Sequence, residues 1–312
     1  MMDLSRFPKS IRIVEVGPRD GLQNEKLPVP TAFKEKFIRL LKEAGHQTIE
    51  VTSFVRPDRM PQMSDARDIY TNVKDLEETT DLPCLVPNMK GLESALELGV
   101  KEIAVFTAAS ESFNKRNINA TISQSFDRIE PVIKKALDEN VKVRGYVSTA
   151  FGCPYEGFIE PDVVATVTNK LRDLGCYEIS LGDTIGAGTP PSVRDLLDKF
   201  THYDDLALHF HDTRSLALSN IMIGLSYGIS VYDSSAGGLG GCPYAKGATG
   251  NVATEDLVYL AQSLGIETGI DLKKLSIASE FILNTIGIKT NSKFLQAYLN
   301  GDKDLYLARP TS

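Results

Sequence analysis

The sequence predicts an α/β fold, a (β/α)8 TIM barrel with a helical C-terminal extension. Three observations predict it. Eight short apolar runs alternate with longer amphipathic ones, polar residues gather just after the apolar runs, and further helix-like segments follow the eighth unit. Alternation of this kind gives parallel strands, and eight units close a barrel. A doubly wound sheet is the alternative; the count of eight and the polar strand ends favour the barrel. The expected organisation is one domain over residues 1–312, with the barrel at 11–250 and the extension at 251–312 packed on it.

The strand candidates, in order, are Ile11–Val16, Thr48–Phe54, Pro83–Val86, Glu102–Thr107, Lys142–Thr149, Glu178–Leu181, Leu206–His211 and Ile229–Ser234. Helix candidates lie between them. In Thr31–Ala44 the residues Phe33, Phe37, Leu40, Leu41 and Ala44 fall on one stripe of period 3.6. Pro161–Leu174 repeats the pattern with Val163, Val164, Val167, Leu171 and Leu174, and Pro161 suits the first helical position. Gly45, Gly99, Gly175 and Gly228 each follow a helix stripe and precede a strand, where a left-handed C-terminal glycine belongs. Beyond Asn251 the candidates Thr254–Leu264, Leu272–Ile286 and Ser292–Leu299 make up the extension.

At 312 residues, with 42% hydrophobic and 24% charged residues, the chain can bury a large core without disulfides. Its net charge of −7 argues against nucleic acid or an anionic membrane as partner, so an anionic substrate must meet a locally basic site. The four cysteines, Cys84, Cys153, Cys176 and Cys242, are far apart and form no C-x-x-C, which suits free thiols in a reducing compartment. Residues 1–10 hold no apolar core of a signal peptide, and no window approaches the roughly 18 apolar residues of a membrane span. A cytoplasmic protein is expected, and the sequon Asn119-Ala120-Thr121 then carries no glycan.

The chemistry is expected at the C-terminal strand ends. The seventh strand reads Leu208-His209-Phe210-His211-Asp212-Thr213, which puts His209 and His211 on one face and Leu208 and Phe210 on the other. Two imidazoles on one strand can hold one divalent ion; the plainer reading is one core and one surface histidine. A carboxylate from another strand would complete a mixed N/O site, with Asp20 first and Asp183 or Glu50 as alternatives. Arg19, beside Asp20, is suited to clamp a carboxylate or a developing enolate oxygen; its plainer reading is a structural ion pair. The fifth strand presents Arg144, Tyr146 and Ser148 at alternate positions. The eighth runs into the glycine-rich stretch 234–247, which has no Gly-Lys-Ser/Thr and reads as a mobile lid. Gly-Cys-Pro-Tyr occurs twice. Only Cys242 lies among the lid glycines, so Cys242 is the candidate proton donor or nucleophile and Cys153 the structural copy.

The runs Val16-Gly17-Pro18-Arg19-Asp20-Gly21-Leu22-Gln23-Asn24-Glu25, Ser180-Leu181-Gly182-Asp183-Thr184 and His209-Phe210-His211-Asp212-Thr213, with the stretch Gly237–Asn251, resemble the 3-hydroxy-3-methylglutaryl-CoA (HMG-CoA) lyase family, bacterial form. The resemblance spans about Ile11 to Leu260. It implies a Mg²⁺- or Mn²⁺-dependent barrel that cleaves HMG-CoA to acetyl-CoA and acetoacetate. It further implies Asp20, His209, His211 and Asn251 as metal ligands, and Arg19, Glu50, Asp183, His209 and Cys242 as catalytic residues. Arg19, Gln23 and Lys26 become candidate substrate contacts, Lys26 for a phosphate. A homodimer is the family expectation. The bacterial form is expected because no mitochondrial presequence is read here and the C-terminal cysteine of some animal members has no counterpart. The chain also carries Arg214-Ser215 where the family usually has an aromatic residue and a glycine, which leaves open a longer 3-alkyl substrate. A catalytically inactive CoA-binding barrel is the alternative from another class. Asp183, Glu50 and His209 are all candidate bases.

Overall fold

A computed structural model describes residues 6–241 and 250–301. The strands are β1 (Arg12–Glu15), β2 (Thr48–Ile49), β3 (Thr52–Ser53), β4 (Cys84–Leu85), β5 (Glu102–Ala108), β6 (Lys142–Ser148), β7 (Glu178–Asp183), β8 (Leu206–Phe210) and β9 (Val231–Ser234). All pair in parallel in the order β2-β1-β9-β8-β7-β6-β5-β4-β3. The two ends of that order are halves of one segment. Val14 pairs with Thr48 on one side, and Thr52 pairs with Cys84 on the other. Across the break, the Glu50 N–H donates to Glu15 O (2.9 Å) and the Val51 N–H to Pro83 O (3.1 Å). The sheet is therefore a closed barrel of eight strands, the second of them interrupted at Glu50–Val51, and every expected strand is found.

Helices α1 (Thr31–Glu43) and α6 (Pro161–Asp173) form where the stripes predict them, but the buried faces are rotated. α1 buries Lys34, Phe37, Ile38 and Leu41, while Phe33 is exposed and stacks on Phe281 at 6.1 Å. α6 buries Val164, Ala165, Val167, Thr168 and Leu171 and leaves Val163 exposed. A polar side chain that finds a partner can occupy the inner face: the Lys34 ammonium meets Asp65 at 2.7 Å. Gly45, Gly99, Gly175 and Gly228 all have positive φ, as their helix-ending role requires.

The extension comprises α9 (Thr254–Ser263), α10 (Leu272–Ile286) and α11 (Lys293–Leu299). The Asp256 carboxylate accepts from Ser292 Oγ and from the backbone N–H of Lys293 and Phe294, fixing the start of α11. Thr290 and Asn291 both donate to Gly237 O, so the extension grips the turn that leaves β9. No helix among the described residues is long and apolar enough to cross a membrane.

Candidate active site

The chain leaves β1 through one turn of π-helix, Gly17–Gly21, which carries Arg19 and Asp20. The turn packs too closely for side chains at its ends. A Cβ on Gly17 would lie 2.6 Å from Glu15 Oε1, and one on Gly21 would lie 2.9 Å from Leu239 Cβ. Arg19 is buried with each of its three nitrogens engaged, which leaves one N–H on each Nη. Nε and Nη2 donate to Glu50 Oε2 at 2.9 and 2.7 Å, and Nη1 donates to Asp20 Oδ1 at 2.8 Å. Tyr146 adds its hydroxyl to the same Glu50 oxygen (3.0 Å) and its ring lies under the guanidinium, 5.4 Å from centroid to Cζ. Burial alone would raise the Asp20 carboxyl, but Arg19, His209 and His211 outweigh it and hold the group below the usual carboxylate range.

His209 and His211 share a face, as their spacing predicts, with Leu208 and Phe210 in the hydrophobic core behind them. Asp20, His209 and His211 bring one ligand atom each within 4.8 Å of one another, the one such cluster among the described residues. Asn251 joins them through the backbone. It forms an isolated bridge with His211, and its Nδ2 donates to Asp20 Oδ2 (2.9 Å) and Leu239 O (3.1 Å). Asn251 Oδ1 and His211 Nδ1 are buried with no hydrogen-bond partner. Leaving such atoms unmatched costs about 1–3 kcal/mol each, a cost that a cation accepting their lone pairs removes. Burial and the neighbouring His209 push the His211 imidazole down to about 4, so it is neutral and able to ligate. The donor set therefore fits a divalent cation.

A cavity of about 260 Å³ opens over this cluster. Arg19, Asp20, Gln23, Tyr146, His209 and His211 line its polar side, and Met60, Leu85 and Phe106 its apolar side. Gln23 Nε2 donates to Asp20 Oδ1 at 2.7 Å. Glu50 and Asp183 stand behind the wall. Glu50 serves Arg19 and Tyr146, and its Oε1 is buried without a partner. Asp183 accepts from the backbone N–H of Ala187 and Gly188 at 2.8 and 2.9 Å, while its neighbours Gly182 and Thr184 line the cavity. Burial, partly offset by those two N–H groups, lifts the Asp183 carboxyl to about 6. Lys26 is exposed and outside the cavity lining. Arg214 gives Nη1 to the carbonyls of Ile185 and Gly186 and is likewise absent from the lining, so its charge belongs to the loop after β7. Cys242 lies outside the described residues; Gly241, just before it, lines the cavity. Cys153 is buried away from the cavity, 3.0 Å from Ser110 Oγ, at the start of helix α4 (Glu111–Ile118).

Residue-type reasoning alone missed two groups. Asn251 looks like a turn residue until the bridge to His211 brings it in; the family resemblance supplied it. Asp233 reads as one polar position in an apolar strand, yet its Oδ2 lies 3.2 Å from His209 Nδ1. Burial opposes its charge, but Arg144 and His209 hold it well below the usual carboxylate range. An acid inside an apolar run was the available signal.

Comparison with known proteins gives the chain a family. Residues 10–282 match the family model described as HMGL-like. The chain is 52% identical over 297 residues to the mitochondrial hydroxymethylglutaryl-CoA lyase of Rattus norvegicus, covering 94% of this chain and 91% of the relative. The crystal structure of hydroxymethylglutaryl-CoA lyase from Pseudomonas aeruginosa superposes with a TM-score of 0.91 at 48% identity, covering 95% and 99% of the two chains. An HMG-CoA lyase from Acinetobacter baumannii, solved in complex with coenzyme A and 3-methylmalate, superposes with a TM-score of 0.88 at 35% identity over 97% and 98%. Sequence and barrel agree over nearly the whole length, and the chain belongs to the HMGL-like family.

Proposed function

We propose that this protein is a divalent-metal-dependent carbon–carbon lyase that cleaves HMG-CoA to acetyl-CoA and acetoacetate. The observation that carries the reading is the set Asp20, His209, His211 and Asn251, with its unmatched buried acceptors, beside the Arg19 fork on one cavity wall. Those four residues would hold Mg²⁺ or Mn²⁺. When bound, the ion supplies Lewis acidity that makes the substrate's C3 hydroxyl easier to deprotonate.

The protein's own groups do the rest. His209 has a single nitrogen to offer the ion, because Nδ1 faces Asp233. We therefore assign the hydroxyl proton to Asp183, whose carboxyl near 6 suits a base at neutral pH and whose neighbours Gly182 and Thr184 line the cavity. Loss of that proton lets the C2–C3 bond break. Acetoacetate leaves with the new carbonyl, and the electron pair stays on the thioester fragment as an enolate. Arg19, held rigid by Glu50, stabilises the developing charge at the thioester oxygen. Cys242, following Gly241 in the chain, returns a proton to C2 and completes acetyl-CoA. Gln23 orients Asp20 and the substrate, and Lys26 is the candidate for a coenzyme A phosphate. The three described cysteines are free, in keeping with a cytoplasmic enzyme, and a homodimer belongs to the same reading.

Met60, Leu85 and Phe106 give the cavity an apolar side for the substrate's 3-alkyl substituent. The deciding assay follows acetoacetate release from HMG-CoA with Mg²⁺ and with chelator, beside a longer 3-alkyl analogue. Metal-dependent release from HMG-CoA is expected. Faster turnover of the analogue would move the reading to that substrate, and no release from either would favour a barrel that only binds.

A further inference from the structure

We propose that Asp233 is a positioning residue that fixes His209 as the Nδ1–H tautomer and thereby aims Nε2 at the divalent-ion site. This rests on the metal-site reading above.

The register makes the pair. His209 in β8 and Asp233 in β9 are direct partners across the parallel ladder, so their side chains leave the barrel wall side by side. The other contacts of the Asp233 carboxylate decide what His209 must present. Arg144 Nη2 donates to Oδ1 at 2.7 Å, Arg144 Nη1 to Oδ2 at 3.3 Å, and Ser180 Oγ to Oδ2 at 2.7 Å. Every partner is a donor and the carboxylate is a pure acceptor. A lone pair on His209 Nδ1 facing this anion would be repulsive, and an N–H there completes the set. The carboxylate cannot swing away, because Arg144 is itself held by Glu178 at 2.6 Å and Arg12 binds Glu178 from the far side. Both Arg144 and Asp233 are fully buried. Partners of this kind orient metal-binding histidines in general, and losing one typically costs 10–100-fold in metal affinity. The competing view is that Asp233 serves only as counter-ion to Arg144.

The two views part on the tautomer. In Asp233→Asn the short Arg144 Nη2 contact keeps the amide oxygen at the Oδ1 place, which puts the amide nitrogen at the Oδ2 place facing His209, and the Ser180 hydroxyl, able to accept as well as donate, turns to receive its other N–H. That nitrogen donates to Nδ1 and forces the Nε2–H form. The experiment is ¹⁵N NMR of the four histidines in the full-length, metal-free protein, with His209 assigned by its loss in His209→Gln, together with Mn²⁺ titration by electron paramagnetic resonance. The parent is expected to show His209 as Nδ1–H. Asp233→Asn is expected to switch the tautomer and weaken Mn²⁺ about 10–100-fold. Ser180→Ala, which leaves the His209 contact in place, is expected to stay within about two-fold. An Nε2–H form in the parent overturns the proposal whether or not Asp233→Asn folds. Unchanged Mn²⁺ affinity in a folded Asp233→Asn, or an equal loss in Ser180→Ala, overturns it too. These readouts need no substrate, so a failed acetoacetate assay with the expected tautomers would sink the substrate reading and leave this one standing.

Discussion

At the scale of single residues, the site separates groups that touch the cavity from groups that tune them. Arg19 and Asp20 touch it. Glu50 and Asp183 lie one layer behind, and their surroundings give them different work. Glu50 is tied to Arg19 by two hydrogen bonds, whereas Asp183 meets only backbone N–H groups and is lifted to about 6. A base acts in its ionised form, so kcat should rise with pH through an apparent value near 6 and level off above it. Asp183→Asn should lose about 10²–10⁴-fold in kcat along with that acid limb. An acid limb that persists at the same pH in Asp183→Asn would reassign the base. The two Gly-Cys-Pro-Tyr copies give a paired prediction. Cys242→Ala should lose about 10²–10⁴-fold in kcat with Mn²⁺ affinity unchanged, because the role proposed for the thiol is to move a proton and not to ligate. Cys153→Ala, whose sulfur only meets Ser110 and the Tyr155 N–H, should stay active once folded. Reversed results would show that the wrong copy had been chosen.

At the scale of elements, the turn leaving β9 is pinned by two buried carboxylates. Glu15 accepts from the N–H of Gly17 and Ala236 and from Thr254 Oγ1, and Glu255 accepts twice from the Gly237 N–H. Burial lifts Glu15 to about 7 and Glu255 to about 8, from 4.5 for either group when exposed. For a carboxyl raised on folding, the contribution to stability is full below the unfolded value and is lost as pH rises through the folded one. His46, beside Glu15, runs the other way. Burial pushes it to about 3, so it costs stability only as pH falls below 6.5. Above pH 6.5 His46 no longer contributes. Melting of the metal-free protein should therefore fall by a few degrees between about pH 6.5 and 8, a loss of roughly 2 kcal/mol at 1.36 kcal/mol per pKa unit. Glu255→Gln keeps an acceptor for Gly237 and should flatten most of that slope; an unchanged slope would place the titration elsewhere. These two acids were invisible as a pair in the sequence. Glu15 sits inside an apolar strand and Glu255 at a helix start, and only barrel closure brings them to one turn. The helices themselves were legible because a 3.6 period survives one polar substitution, yet their inner faces were misjudged wherever a residue such as Lys34 found a buried partner.

At the scale of the whole molecule, barrel closure builds the site from distant parts of the chain. Asp20 follows the first strand, His209 and His211 come with β8, and Asn251 arrives after the stretch that leaves β9. The histidine pair was legible because period two fixes faces along one strand, and the turn after the first strand was legible as a dense polar cluster. Asn251 and Asp233 were not, because their roles come from neighbours across strands: a bridge to His211 and a register partner of His209. The same long-range construction yields the last prediction. An ion held by Asp20 and Asn251, 231 positions apart, ties the first barrel unit to the last and binds only the closed barrel. It must then stabilise the folded state by mass action, by about 2.7 kcal/mol at a hundred times its Kd. Mn²⁺ should raise the melting temperature by a few degrees, and chelator should reverse the rise. His211→Ala and Asn251→Ala should each abolish most of this shift and weaken Mn²⁺ by more than about 10²-fold, since a lost ligand costs more than a lost outer partner. Cys242→Ala should keep the shift in full. If His211→Ala melts with the same Mn²⁺-dependent gain as the parent, the ion binds elsewhere and the proposed site is not the one that closes the barrel.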